Sequence, residues 1–94
     1  MKYQKRFKEK VSEIVKKIPQ GKVMSYKTVA GLAGSPRAWR AVGNILNKNK
    51  DPKIPCHRVI RLNGKIGGYK NGIKEKTDLL KKEGVIIKNG KITS

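Results

Sequence analysis

The chain contains one cysteine and one histidine, and they are neighbours: Cys56 and His57, within the stretch IPCHRVI at 54–60. A thiolate is a strong nucleophile near neutral pH, and an imidazole is a suitable base to generate one. Arg58 and the surrounding lysines are expected to favour the thiolate. Pro55 predicts a backbone turn that would hold the sulfur at a pocket rather than in the core. The same residues also admit an inert reading, since a free cysteine usually packs as a small apolar side chain. Strand geometry opposes a direct Cys–His dyad. Neighbours on an extended strand point to opposite faces, so a bend or a bridging water would be needed. One Cys and one His fall short of the four ligands of a structural zinc site, and a lone cysteine excludes an internal disulfide.

Around this pair the chain is strongly cationic: 24 Lys+Arg against 6 Asp+Glu, a formal net charge of +18 over 94 residues. Such an excess repels itself in a compact domain and points to a polyanion, most often nucleic acid. The alternative is a set of solvated lysines with no partner. A membrane-surface role fits poorly, because no basic amphipathic helix carries exposed Trp, Phe or Leu. No apolar run approaches the roughly 20 residues of a membrane span, and no signal-peptide core is present. The expectation is a soluble, intracellular protein with no membrane partner. Hydrophobic residues make up 36 %, enough for one modest core of Val, Ile, Leu and Ala in a single domain, 1–94.

The elements that must position Cys56 follow from periodicity. Residues 3–18 predict an amphipathic helix, with Tyr3, Phe7, Val11, Ile14, Val15 and Ile18 at three- and four-residue spacing and Pro19 as its stop. Val23 and Met24 suit a short strand or an extended link. Ser25 is an N-cap for a short helix, Tyr26–Ala33, closed by Gly34. Ser35-Pro36 repeats the start signal for a second helix over Pro36–Asn47, with Val42, Ile45 and Leu46 inward. Residues 25–47 thus read as helix-turn-helix, or equally as an ordinary helical hairpin. A polar loop follows, then a strand at Val59-Ile60, an Asn63-Gly64 tight hairpin turn, and a helix over 73–83 with Ile73, Leu79 and Leu80 inward. A last hairpin turns at Asn89-Gly90. The fold class is mainly α with small β elements: a winged helix-turn-helix-like single domain.

Three motifs in order, SYKTVAGLAGSPRAWRAVG at 25–43, PCHRV at 55–59 and GGYKNG at 67–72, resemble the O6-alkylguanine-DNA alkyltransferase family, specifically its DNA-binding, active-site domain. The resemblance runs from about residue 5 to residue 87 and places the active-site segment at 49–72. It implies that a damaged guanine is flipped out of double-stranded DNA, and that the Cys56 thiolate takes the alkyl group from O6 once, without metal or cofactor. It implies that His57 is the base, acting through a water, and that Glu83 orients it. Tyr26 would hydrogen-bond the guanine and protonate it on leaving, and Asn49 would brace the active-site turn. Tyr69 would cover the flipped base, with the Lys70 backbone N–H on O6. Arg40 would be the finger filling the vacated stack, on a helix in the minor groove. Ser35, Arg37, Ala41 and Gly43 complete the implied DNA contacts of a monomer.

Each side chain has a plainer reading taken singly. Tyr26 could be a half-buried surface residue, Asn49 a turn residue, Glu83 a lysine's ion-pair partner and Arg40 a phosphate contact. Three features depart from the family pattern. The Asn49–Cys56 segment is one residue shorter, Asn71 stands where glycine is usual, and the N-terminal domain of many members is unmatched. The last leaves a second reading. Alkyltransferase-like proteins bind the same lesions, lack the cysteine, commonly carry tryptophan there, and pass the damage to excision-repair proteins. A third reading, a winged-helix regulator, would need major-groove base contacts that no motif suggests.

Overall fold

A computed structural model describes residues 6–68 and 72–93. In chain order it contains α1 (Phe7–Lys16), β1 (Met24–Ser25), α2 (Tyr26–Leu32), a 3-10 turn (Pro36–Ala38), α3 (Trp39–Lys48), a second 3-10 turn (Cys56–Arg58), β2 (Val59–Ile60), α4 (Ile73–Lys82), β3 (Ile87–Lys88) and β4 (Lys91–Ile92). No described helix is long and apolar enough to cross a membrane.

α1 buries Val11 and Val15, with Phe7 and Ile14 packed beside them. Its start falls at Phe7, later than the predicted 3–18; Tyr3 lies outside the described residues. Beyond α1, Ile18 is also buried. The predicted strand at Val23-Met24 is displaced by one residue. Met24 and Ser25 pair in parallel with Val59 and Ile60, while Val23 packs against the second cluster described below. Ser25 ends that strand and caps α2 at once, its Oγ accepting from the Thr28 N–H at 3.0 Å. A cap of this kind contributes about 1 kcal/mol.

Gly34, at φ +92, ends α2. The Ser35 N–H bonds to the Ala30 carbonyl at 2.9 Å and the Gly34 N–H to the Gly31 carbonyl at 3.0 Å, the double closure that satisfies a helix's last carbonyls. Closing α2 is therefore the work of Ser35. Its side chain does not cap the next element, and Pro36–Ala38 forms a 3-10 turn before α3 begins at Trp39. The predicted N-cap at Ser35 and the helix start at Pro36 are corrected accordingly. The helix-turn-helix itself is present, with α2 packed on α3.

β2 divides the interior. Val59 joins Val11, Val15, Ile18, Val29, Ala30, Ala33, Val42, Leu46 and Cys56, whereas Ile60 joins Ile66, Leu80 and Val85. Adjacent residues face opposite ways on a strand, so two residues serve two clusters where one core was expected. The second cluster lies under β3 and β4, whose Ile87 and Ile92 pack on it. Asn89 and Gly90 turn that hairpin with φ of 53 and 75, the left-handed pair that a tight two-residue turn requires. The Asn63-Gly64 turn is not such a hairpin. Only Gly64 is left-handed there, and Lys65 bridges to Lys91. In α4, Leu80 is buried, but Ile73 is 59 % exposed and not inward as predicted. The inward place one turn later belongs to Lys76, the only polar or charged side chain that is fully buried among the described residues.

Candidate active site

Cys56 opens a 3-10 turn instead of lying on an extended strand. That removes the strand-geometry objection to cooperation between neighbours. Cys56 is 5 % exposed and belongs to the larger core cluster, which corrects the expectation of a sulfur held clear of the core. Asn49 Nδ2 donates to Cys56 Sγ at 3.0 Å and to the Asp51 carbonyl at 3.1 Å, while its Oδ1 accepts from the Asp51 N–H at 3.1 Å. One amide thus pins the loop leaving α3 and supplies the sulfur with a donor, the contact that a negatively charged sulfur needs.

Behind the turn, His57 Nε2 lies 3.0 Å from Glu83 Oε2. The distance suits a hydrogen bond, but the ring is not aimed to complete one. Glu83 is gripped by Arg58, with Nε on Oε1 at 3.0 Å and Nη2 on Oε2 at 2.6 Å. Arg58 Nη1 donates further to the Ile18 carbonyl at 2.6 Å. The Arg58 hydrogen bonds hold the Glu83 carboxyl below its ordinary value; burial opposes this and His57 assists it. Arg58 is therefore committed to Glu83 and to the chain following α1, and is not the cation assisting the sulfur that its sequence position suggested.

The second centre is Tyr26, the first residue of α2. Its hydroxyl donates to the Gly68 carbonyl at 3.3 Å, and Lys76 Nζ donates to the same hydroxyl and the same carbonyl, each at 3.2 Å. Lys76 Nζ also lies 5.4 Å from the centre of the Tyr26 ring. Burial pushes the Tyr26 phenol up, as does negative charge at Cys56, while Arg61 acts the other way. Burial pushes Lys76 down to about 8, and charge at Cys56 opposes that. The Tyr26–Lys76 pair thus responds to charge at the sulfur.

Tyr26 stands where two open grooves meet. One, of about 900 Å³, runs past Trp39, Arg40, Gly43, Gly68 and Ile73. The other, of about 650 Å³, runs past Lys27, Arg37, Trp39 and Leu62. Arg40 is exposed on α3, its guanidinium carbon 5.1 Å from the centre of the Trp39 ring. Ser35 and Arg37 are exposed on the turn before α3, and Ala41 and Gly43 are half-buried on α3 itself. A Cβ at Gly43 would come within 4.0 Å of Tyr26 Cε1. Tyr69 and Lys70 lie outside the described residues. Sequence reading missed two participants. Arg58 left no readable signal as the Glu83 partner. Lys76 did leave one: a lysine four residues before Leu80, on the apolar face of α4.

Comparison with known proteins gives a consistent result. The family described as 6-O-methylguanine DNA methyltransferase, DNA binding domain, matches residues 6–85. A methylated-DNA–protein-cysteine methyltransferase of Saccharolobus islandicus is 54 % identical over 82 residues, covering 86 % of this chain and 52 % of that protein. One from Kluyveromyces lactis is 44 % identical over 81 residues, covering 85 % and 43 %. The chain thus spans about half the length of these curated relatives. Mycobacterium tuberculosis OGT in complex with DNA superposes with a TM-score of 0.80 at 38 % identity, over 87 % of this chain and 51 % of that one. S. pombe Atl1, in complex with damaged DNA containing O6-carboxymethylguanine, also gives 0.80, at 32 % identity, but over 98 % of this chain and 91 % of its own.

Proposed function

The chain belongs to the 6-O-methylguanine DNA methyltransferase DNA-binding-domain family, and from that premise we propose that it repairs O6-alkylguanine in double-stranded DNA by moving the alkyl group onto Cys56. The observation that carries the reading is a cysteine sulfur holding an amide donor from Asn49, on the same short turn as a histidine backed by a carboxylate. In the proposed reaction His57, through a water, takes the thiol proton, and Glu83 offsets the charge the imidazole gains. The sulfur attacks the alkyl carbon, the S–C bond forms, and the C–O6 bond breaks with its electron pair going to guanine. Tyr26 supplies the proton that guanine then needs. The S-alkyl cysteine has no route back, so each molecule reacts once.

DNA is the proposed partner, engaged by one copy of a single domain spanning 1–94. The net charge of +18 suits a polyanion. Arg40 is the proposed finger in the stack, with Ser35, Arg37, Ala41 and Gly43 along the same surface. Tyr69 and the Lys70 N–H are proposed to close over the base.

A second reading is favoured by one observation: the near end-to-end correspondence with S. pombe Atl1. On it the chain recognises the lesion and leaves the chemistry to excision-repair proteins. Intact-mass measurement after mixing with O6-methylguanine duplex separates the two. Transfer adds one methyl group, mapped to Cys56, without turnover. An unchanged mass on a protein that still binds the lesion supports the second reading. Cys56→Ala abolishes transfer under the first reading and retains binding under both.

A further inference from the structure

Trp39 has no part in the reaction set out above, yet it is 44 % exposed at the first residue of α3. One exposed apolar side chain is ordinary on a protein surface; several lining one concavity are not. Here Pro36, Trp39 and Leu62, the last 68 % exposed, all line the groove of about 650 Å³. Lys27, Arg37 and Arg61 line it too, and no carboxylate does among the described residues. An aromatic face among cations is the combination that holds an unpaired nucleotide: phosphates meet the charges and the base lies on the ring. Tyr26, Trp39 and Arg61 also line the larger groove, so this space adjoins the proposed site of alkyl transfer.

The ring already serves as a stacking surface. Arg40 holds its guanidinium carbon 5.1 Å from the ring centre. Successive residues of a helix project about 100° apart, so the Arg40 side chain must fold sideways to reach its neighbour. A guanidinium over an exposed ring shifts an equilibrium by about two- to fivefold. A base stacked on an aromatic side chain shifts one by about five- to 150-fold. A base that arrives at the ring therefore displaces Arg40, with a net preference of about tenfold, and the guanidinium is freed for the duplex.

We propose that the groove lined by Trp39 and Leu62 is a second nucleobase site: an unpaired base of DNA stacks on the Trp39 ring in exchange for Arg40, while Lys27, Arg37 and Arg61 meet the neighbouring phosphates. The proposal rests on DNA as the partner and not on alkyl transfer to Cys56. Its occupant is an undamaged base, held by its face and not by its O6 substituent. Every base has such a face, so the site is indifferent to sequence. A fully paired duplex offers no free face, so the site stays with Arg40 on intact DNA and fills only where a base has left the stack.

The test compares equilibrium binding, at one salt concentration, of two unalkylated duplexes: one carrying a single extrahelical thymine, the other a base-less sugar at the same position. Their phosphates are identical, so the ratio of affinities isolates the base, and a ratio taken within one protein cancels any loss of folded fraction. Wild type should favour the thymine probe about tenfold, with Trp39 fluorescence quenched more deeply by it. Trp39→Leu should reduce the ratio to about twofold or less, and Trp39→Phe should keep part of it, because a smaller ring still stacks. Arg40→Ala uncovers the ring, so its ratio should widen by about two- to fivefold. A tenfold ratio that survives Trp39→Leu would assign the base to the guanine pocket and overturn the proposal, as would equal binding of the two probes by wild type. A ratio unchanged in Arg40→Ala would overturn the exchange. Neither probe carries an alkyl group, so the two readings fail separately. A wild type that prefers thymine through Trp39 but takes no methyl group from O6-methylguanine duplex refutes alkyl transfer and supports the second site; transfer without the preference does the reverse.

Discussion

Glu83→Gln is the most informative single change to this fold, because the carboxylate holds His57 and Arg58 together. It accepts from Arg58 at 3.0 and 2.6 Å and lies 3.0 Å from His57 Nε2. The Arg58 and Glu83 side chains are 16 % and 13 % exposed, so solvent screens the pair weakly. A hydrogen bond to a charged group contributes about 1.5–3 kcal/mol, and removing one partner of a buried pair costs about 3–5 kcal/mol. Residual exposure reduces that to roughly 2–4 kcal/mol at pH 7. At about 0.05–0.15 kcal/mol per residue, a chain of 94 residues has roughly 5–14 kcal/mol in all. The variant should therefore fold, with its urea midpoint clearly lowered. The pH dependence has a definite sign. The carboxyl sits below its ordinary 4.5 when folded, so its contribution is complete above the unfolded value and is lost as pH falls through the lower folded one. The gap between wild type and Glu83→Gln should be full at pH 7 and narrow as pH falls below the ordinary carboxyl value of 4.5. Arg58→Met should destabilise comparably, and the double variant should recover about 1–3 kcal/mol of the summed loss. A gap under about 0.5 kcal/mol at pH 7, or one unchanged at pH 3, would refute the claim that this pair is structural.

Other consequences can be measured independently. Trp39 is the only tryptophan and neighbours Arg40, so its fluorescence should report DNA binding; log K should fall with log salt at a slope of roughly −4 to −5 if about four to six phosphates are engaged. A flat response would detach the net charge from DNA. Arg40→Ala should slow transfer from duplex far more than from the free O6-alkylguanine base, which needs no flipping, and Arg40→Lys should rescue it only in part; equal losses on both substrates would end the finger assignment. Gly67→Ala places a Cβ 3.1 Å from Arg61 Cγ and 3.4 Å from Tyr26 Cε2 at φ +76. It should cost about 1–2 kcal/mol and slow transfer by displacing the phenol; thermal melts and transfer rates that match wild type would contradict it.

Much of this molecule is legible in one sequence, for reasons that are local. Ser25 caps and Gly34 stops because each acts within a turn of its own helix, and Asn89-Gly90 bends because both residues tolerate left-handed backbone. Ser35-Pro36 misled for the opposite reason: the backbone of Ser35 was already engaged in closing α2, a claim invisible to a pattern that starts at Ser35. The Met24–Val59 pairing, the Arg58 grip on Glu83 and the burial of Lys76 all join residues distant in the chain. Periodicity marks a face as apolar without saying what meets it, so an inward lysine passes for a solvated one. At the proposed site the residue types were readable from motif order. The division of labour was not: Arg58 serves the carboxylate, and Lys76 is the cation that senses the sulfur.

The parallel ladder between Met24-Ser25 and Val59-Ile60 bears on how this scaffold can change over generations. Ser25 immediately precedes Tyr26, and Val59 immediately follows the turn that Cys56 opens. The spacing of phenol and thiol is thus set by four paired residues and not by the length of chain looping between them. Insertions or deletions in the polar stretch after Asn49 can be absorbed without altering that spacing, provided the asparagine amide still reaches the sulfur. This connector is where length variation would be tolerated. A single residue gained or lost within β1 or β2 would instead reverse which cluster each strand residue enters and carry the chemistry out of register with it.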